Sequence, residues 1–488
     1  MEKININKKA KKPRQKVLDP LKLEEQEQYM DMVRVINEKW ANEKGRNPLV
    51  SLHTIGCQMN EHDSEELDYM FGRMGYDKTD NIREADFIIY NTCAVRENAE
   101  TKVYGNLGQL RFSKRKNPDL KIALCGCMMQ QPHVVEEIKK NHKHVNLMFG
   151  THNLYRFPEL LYKHLTTGKT ITEVWDVDGE VIEGLHSNRK YDLKAFVNIM
   201  YGCNNFCTYC IVPYTRGRER SRKYEDIIEE IEDLVANGTK EVTLLGQNVN
   251  SYGKTLEDPI SFAELLRKVN DIEGIERIRF MTPHPKDISD EVIYAMRDCE
   301  HVCEFLHLPM QCGSTELLKK MNRHYSKEDY LKIIEKARKE IPDVVFSTDI
   351  MIGFPGETLE DVQDTIDVVE AARYDSAFTF IYSKRNGTPA AKMENQIPED
   401  EKHRRFEEVL SHVNRIAGEI NEGYMGKTVE VLVEGRSAKN PNRYTGKTRG
   451  NKTVNFNSEE DLTGRLVMVH INDPKSFSLN GEVVEIVK

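Results

Sequence analysis

The stretch GCNNFCTYC, residues 202–210, places Cys203, Cys207 and Cys210 within eight residues of one another. Tetrahedral zinc and a saturated iron–sulfur cluster each take four protein ligands, yet the next cysteine after Cys210 is Cys299. The C-x2-C-x2-C-x3-C-P run of a bacterial ferredoxin is also absent, because Cys210 is followed by IVPYTRGRERSR. A four-iron cube held by three thiolates has one open iron. Such an iron can chelate a small molecule, which a reaction centre needs and an electron carrier does not. The triplet follows a strand pattern at 195–200, and Gly202 permits a tight turn between the two. Carboxyl ends of strands in α/β sheets and barrels are where active sites form.

An α/β rhythm extends from this stretch towards the C-terminus. Strand patterns at 195–200, Glu241–Leu245, 277–281, 304–308, 344–352 and 377–382 alternate with helical ones at Tyr224–Ala236, 262–269, 289–296, 326–340 and Leu359–Ala372. About six strand–helix units predict an open partial (β/α)6 barrel rather than a complete eightfold one. After Gly423 the pattern changes to short alternating strands, 428–433 and 465–471, with turn residues and no helix, predicting a small β-barrel. Upstream, strand patterns at Leu49–Ile55, 86–92, 121–124 and 145–149 alternate with helices and predict a Rossmann-like parallel α/β domain. The expected organisation is an extension at 1–48, an α/β domain at 49–167, a linker or hairpin at 168–190, a partial barrel at 191–421 and a small β-barrel at 423–488.

Composition narrows the class. The 488 residues are 39% apolar and 31% charged with a net charge of −9, as in a soluble globular protein. No run of about 18 apolar residues predicts a membrane span. The N-terminus is basic without an apolar segment behind it, so no secretory signal is expected and the cytoplasm is the expected location. The first 22 residues carry eight Lys/Arg and two Asp/Glu, which reads as a disordered tail. Residues 22–43 show helical spacing at Tyr29, Met32, Val33 and Ile36, a surface helix. Ten cysteines are too few for a disulfide scaffold, and clustered ones in a reducing compartment point to metal or catalysis.

Three further cysteines occupy equivalent places in the first α/β unit. Cys57 follows a strand in TIGCQMN, Cys93 ends one in YNTCAV, and Cys127 ends one in LCGCMMQ. Free cysteines often pack as small apolar residues, but three at the carboxyl ends of parallel strands should converge on one sheet edge. They are read as a second cluster site. If the third strand continues, alternation points Cys125 and Cys127 to the same face; Cys127, nearer the strand end, is preferred as ligand. Cys299, Cys303 and Cys312 are read as core.

The central triplet, C-x3-C-x-aromatic-C with Tyr209 as the aromatic, resembles the radical S-adenosylmethionine (SAM) superfamily. The resemblance implies a 4Fe–4S cluster whose open iron binds the amino and carboxylate groups of SAM, and cleavage of SAM to a 5′-deoxyadenosyl radical. Two triplets in this order, followed by a TRAM β-barrel, resemble the methylthiotransferase family over residues 49–488. That resemblance implies a second, auxiliary 4Fe–4S cluster for sulfur insertion, with SAM as both methyl donor and radical source. Family members differ in target: isopentenyl-adenosine in tRNA, threonylcarbamoyl-adenosine in tRNA, or an aspartate of a ribosomal protein. The text GCQMNEHDSE around Cys57 looks like the isopentenyl branch. The expected partners are tRNA and an external one-electron donor of flavodoxin or ferredoxin type, with no membrane, no DNA and a monomeric chain.

Other residues complete the expected site. Gly246, Gln247 and Asn248 end the second barrel strand where this superfamily binds the SAM amino group; Asp349 and Arg385 lie near later strand ends, and Arg385 could clamp a carboxylate. For RNA, Arg216, Arg218, Arg220 and Arg222 form one basic patch, some of which could instead pair with the Glu-rich helix behind them. Arg436, Lys439, Arg443, Lys447, Arg449 and Lys452 form another within RSAKNPNRYTGKTRGNK. Six phosphate contacts would give a log–log salt slope of about −4 to −5.

Overall fold

The computed structural model describes residues 17–95, 97–175, 180–438 and 440–487. Residues 1–16 of the basic tail and residues 176–179 lie outside that set, whereas residues 17–22, also read as disordered, are ordered: Val17 bridges to Val181 and a helix begins at Pro20. The N-terminal sheet consists of β1 (Leu49–Ile55), β2 (Asp77–Lys78), β3 (Phe87–Thr92), β4 (Lys121–Gly126), β5 (Leu147–Phe149) and β6 (Ile171–Glu173), all parallel, in the order β2-β1-β3-β4-β5-β6. The sequence FIIYNT makes β3 buried at every position, as a central parallel strand covered on both faces must be. Ile55 lies opposite Thr92, and Thr92 opposite Gly126, so β1, β3 and β4 end on one row.

Two expectations fail here. The segment read as a linker or hairpin contributes β6, which extends the sheet with Ile171 opposite Leu147. The helix Pro20–Lys44 is no separate surface element. Asp19 caps it, Gly45 ends it at φ 75°, and Met30 and Val33 are buried with Leu67, Phe71 and Leu161 in the first domain's core. The buried stripe is Gln26, Met30, Val33 and Asn37, whereas Met32 is exposed. Neighbouring apolar residues on a helix can offer two registers of stripe, and the partner surface selects between them.

The central unit contains β7 (Lys194–Asn198), β8 (Met200–Tyr201), β9 (Arg220–Ser221), β10 (Glu241–Leu245), β11 (Arg277–Phe280), β12 (Phe305–His307), β13 (Val345–Ile352) and β14 (Ser376–Ile381). Two parallel sheets, β7-β10-β11 and β12-β13-β14, are joined by a parallel bridge from Ile278 to Val302. The result is an open, partial barrel of six strands in chain order. A helix absent from the sequence reading, Glu399–Glu422, seats Val409, Val413 and Ile416 in the barrel's outer core. No described helix is long and apolar enough to cross a membrane.

The last five strands, β15 (Thr428–Ser437), β16 (Asn440–Thr448), β17 (Thr453–Phe456), β18 (Leu466–Lys475) and β19 (Ser478–Ile486), close into a barrel in the order β15-β16-β17-β19-β18. The β16–β17 turn enters the amino-terminal mouth of the central barrel. Arg277, the first residue of β11, donates to the Lys447 carbonyl at 2.6 Å, and Arg279 to those of Arg449 at 2.6 Å and Thr448 at 2.8 Å. Arg449 in turn pairs with Glu304 at 2.7 Å, and Lys452 with Asp375 at 2.8 Å, both acids just ahead of a barrel strand. Arg449→Ala should therefore lower stability by about 2 kcal/mol, since it leaves Glu304 and two carbonyls without their donor. Arg436→Ala, which removes a stack on Tyr444 and one exposed hydrogen bond to the Pro441 carbonyl, should cost under ~1 kcal/mol. Denaturant melts of the two variants check the contrast.

Candidate functional site

The row of strand ends in the N-terminal sheet presents Cys93 and Cys127 side by side, with Cys57 at the start of the helix Gln58–Arg73. Gly126 adopts φ 92°, and a Cβ there would lie 2.4 Å from the Thr92 carbonyl oxygen, so only glycine allows this approach. The same residue breaks strand alternation. Cys125 faces the apolar core with Leu147 and Phe149, while Cys127 turns to pack with Ala94 and Ile211. The two cysteines therefore do not share a face, as alternation alone had suggested, and Cys127 is the one at the edge.

A hydrogen bond from Cys93 holds the Cys57 thiol down at about 6, with Arg216 adding to the effect; the same bond and burial push Cys93 up. Burial raises Cys127 to about 11 against the pull of Arg216, whose Nε donates to its Sγ at 3.0 Å.

The second triplet lies between β8 and the short helix Val212–Thr215. Gly202, at φ 73°, passes so close to Arg218 that a Cβ would sit 2.1 Å from its carbonyl oxygen, and Cys203 donates its N–H to the Gly217 carbonyl at 3.1 Å. Burial pushes Cys203 and Cys210 up to about 12. Arg323, 4% exposed, reaches Cys207 Sγ at 3.8 Å and the Tyr209 hydroxyl at 3.4 Å. The motif alone gave no signal for Arg323, a basic residue more than a hundred positions away that only the barrel brings in. Cys299, Cys303 and Cys312 are buried, as expected, the first and last within the central apolar core and Cys303 near Arg279 and Glu241.

The donor sets suit clusters rather than a single ion. Four thiolates around zinc would lie about 3.8 Å apart, given Zn–S bonds near 2.3 Å. Among the described residues, the one group of three His, Cys, Asp or Glu ligand atoms mutually within 4.8 Å is His62, Asp63 and Glu66. Neither cysteine triplet has all three sulfurs mutually within that distance, too open an arrangement for one zinc ion. The His62 group is otherwise engaged: Asp63 pairs with Arg216 at 3.0 Å and His62 with Asn198 at 3.2 Å. The two triplets are neighbours, because Ile211, next to Cys210, packs on Cys127 and on Ala94, next to Cys93.

The inner face of the barrel follows from strand register. Phe346, Ile350 and Ile352 point to the outer core, so Ser347, Asp349 and Met351 point inward. On β14 their partners are Ser376, Phe378 and Phe380. Asp349 thus faces the interior, 3.6 Å from His307, and the aromatic pair beside it is 55% and 44% exposed.

Other expected SAM contacts fare differently. Asn248 is fully buried, its amide donating to Asp287 at 2.8 Å and accepting from the His284 N–H at 3.2 Å, so it shapes the loop rather than meeting a ligand. Gly246 packs against Met200, which a Cβ would approach to 2.6 Å. Gln247 donates to Met59 Sδ in the first domain. Arg385 donates to the Val95 carbonyl at 3.0 Å, in the loop after Cys93.

Both basic patches need correction as RNA surfaces. Arg216, Arg220 and Arg222 are buried at 6–7% exposure. Arg222 pairs with Glu183 and with Glu230 of the Glu-rich helix, and Arg220 donates to the Arg218 carbonyl at 2.8 Å. A strand-and-turn conformation points these alternating residues inward, where acids and carbonyls compensate them. Arg218 alone of the four is exposed, stacked 4.3 Å from the Phe206 ring centre. In the C-terminal loop, the side chains of Arg449 and Lys452 are used in docking, while Lys447 donates to Thr453 of the same barrel at 2.8 Å and burial lowers its pKa. Arg436 is exposed and Arg443 half-buried, while Lys439 lies outside the described residues.

Comparison with known proteins gives three family matches: the radical SAM superfamily over residues 197–369, uncharacterized protein family UPF0004 over 49–150, and the TRAM domain over 422–484. The chain is 70% identical over 473 residues to the tRNA-2-methylthio-N(6)-dimethylallyladenosine synthase of Clostridioides difficile (strain 630), covering 96% of this chain and 99% of that one. It is 60% identical to the synthase of the same name from Alkaliphilus oremlandii (strain OhILAs), covering 96% and 98%. Among solved structures, the radical SAM methyltransferase TsrM from Kitasatospora setae, with cobalamin and a [4Fe-4S] cluster bound, aligns at a TM-score of 0.53 and 14% identity over 70% of this chain and 74% of that one, a likeness of fold.

Replacing Cys57, Cys93 and Cys127 together by Ala should leave a folded protein that binds about four irons after anaerobic reconstitution, against about eight for the parent. Iron and sulfide analysis reads the difference.

Proposed function

The chain belongs to the radical SAM methylthiotransferases, and on that premise we propose that it methylthiolates carbon 2 of isopentenyl (dimethylallyl) adenosine beside the anticodon of tRNA. The observation that carries this reading is the meeting of the two cysteine triplets through Ile211, Cys127 and Ala94, since sulfur insertion needs both centres within reach of one substrate atom. Cys203, Cys207 and Cys210 would hold the SAM cluster, and Cys57, Cys93 and Cys127 the auxiliary one. Bound there, the two clusters and SAM supply the electron, the 5′-deoxyadenosyl radical, the sulfur and the methyl group.

The chain's own residues supply placement. Asp349, on the inner face of the barrel, offers a carboxylate to the SAM site, and Gln247 stands at the end of β10 beside it. Arg385 has a guanidinium between the barrel rim and the loop after Cys93. The target base must leave its stack, at a cost of a few kcal/mol. Stacking on an aromatic restores ~1–3 kcal/mol per base, and Phe378 and Phe380 are the exposed rings this inner face presents. Tyr209 and Arg323 back the Cys207 thiol from the buried side. Arg218, Arg436, Arg443 and Lys439 are the remaining candidates for tRNA phosphates. The setting is the cytoplasm, with a monomeric chain and an external one-electron donor of flavodoxin or ferredoxin type.

Anaerobically reconstituted protein, given reductant, SAM, a sulfur source and isopentenyl-modified tRNA, should yield 2-methylthio-isopentenyladenosine by nucleoside mass spectrometry. No product with both clusters present, or product only from threonylcarbamoyl-modified tRNA or a ribosomal protein, would overturn the assignment. In tRNA binding, four phosphate contacts predict a log–log salt slope of about −3 to −4. A slope of about −7 to −9, expected for all ten basic residues of the two patches, would contradict the burial of Arg216, Arg220 and Arg222 and the engagement of Lys447, Arg449 and Lys452 within the chain.

A further inference from the structure

Arg216 belongs by sequence to the SAM-cluster loop, yet its side chain ends in the other domain. It is 6% exposed, and its Nε donates to Cys127 Sγ at 3.0 Å. Its Nη2 donates to Asn60 Oδ1 at 3.2 Å and to Asp63 Oδ2 at 3.0 Å. Asn60 Oδ1 also accepts from the Cys57 thiol at 3.4 Å, and Asn60 Nδ2 donates to the Thr92 carbonyl at 3.0 Å, the residue before Cys93. One guanidinium therefore bonds one cysteine sulfur directly and is tied through a single asparagine to the positions of the other two.

We propose that Arg216 is a positioning residue of the auxiliary cluster, fixing the Cys127 thiolate and stabilising the charge of the reduced cluster from the SAM-cluster side of the domain interface. The proposal rests on Cys57, Cys93 and Cys127 being cluster ligands. The chemistry is that of outer partners in metal sites generally, which orient ligands and tune the metal. N–H bonds to cluster sulfurs and nearby positive charge both favour the reduced state. A buried ion pair that merely tied the domains together would need Asp63 but not a bond to sulfur. The covalent continuity of residues 210–216 gives the arrangement a further consequence: the auxiliary site reaches its final geometry only when the loop carrying Cys210 is docked.

Removing Arg216 alone would orphan the buried Asp63 carboxylate and confuse misfolding with loss of tuning. The informative variants are Arg216→Gln with Asp63→Asn, which removes the ion pair as a unit, and Arg216→Lys, which keeps the charge on a shorter donor. Holoproteins would be followed by electron paramagnetic resonance during redox titration and by iron release to a chelator. In the double variant the auxiliary cluster should show a more negative midpoint potential and about 10- to 100-fold weaker retention, with the SAM cluster's potential unchanged; the lysine variant should fall between it and the parent. Potentials and release rates equal to those of the parent in both variants would overturn the proposal. A parent protein that binds about four irons, with none lost on replacing Cys57, Cys93 and Cys127, would overturn the auxiliary cluster itself and is told apart by iron content alone.

Discussion

Parallel strands all finish on the same side, and this geometric constraint governs the molecule. Cys57, Cys93 and Cys127 are separated by tens of residues, yet Ile55, Thr92 and Gly126 form one row across β1, β3 and β4. Whatever follows that row is gathered at a single edge. The barrel repeats the principle: Asn198, Leu245 and Ile352 end strands that open towards one mouth, and the central triplet follows close after the first of them. The two edges then face each other, with the helix Gln58–Arg73 against β7 and Ile211 wedged between Cys127 and Ala94.

The buried charges at this junction would be costly in isolation. Removing an ion from water costs several kcal/mol, recovered only with near-complete pairing. Pairing is what surrounds them: Arg216 with Asp63, Arg222 with Glu183 and Glu230, Arg189 with Glu65 and Glu230. All but Arg222–Glu230 join residues that lie far apart in the chain, and Arg216–Asp63 and Arg189–Glu65 tie the central unit and its leading segment to the first domain. The junction therefore fixes the relative placement of the two domains by charge complementarity, where apolar packing alone would tolerate sliding.

Much of this was legible in the sequence, for a specific reason. Cysteine spacing, glycine before cysteine, and strand–helix alternation are local patterns, and they gave the fold class, both triplets and the closed terminal barrel. What was not legible concerned direction. Arg216, Arg220 and Arg222 read as a surface stripe because nothing local says that the turn carrying them folds inward onto Asp63 and Glu230. Arg449 and Lys452 read as part of an RNA loop because their acidic partners, Glu304 and Asp375, belong to a different domain. Alternation put Cys125 and Cys127 on one face, although Cys127 was preferred as ligand, and Gly126, at φ 92°, separates them. The helix Pro20–Lys44 was assigned the wrong stripe because its partner surface, formed by Leu160 and Leu161, comes more than a hundred residues later.

The turn between β16 and β17 has a consequence for how such a chain can be inherited. By lodging between Arg277, Arg279, Glu304 and Asp375, it forms the floor of the chamber whose roof holds the cysteines. A lineage that discarded the terminal barrel would expose two buried arginines and two acids at once, and a recombinant that acquired a foreign one would have to reproduce four matching contacts together. The third module is therefore built into the second as one structural part, although by sequence it looks like an appendage.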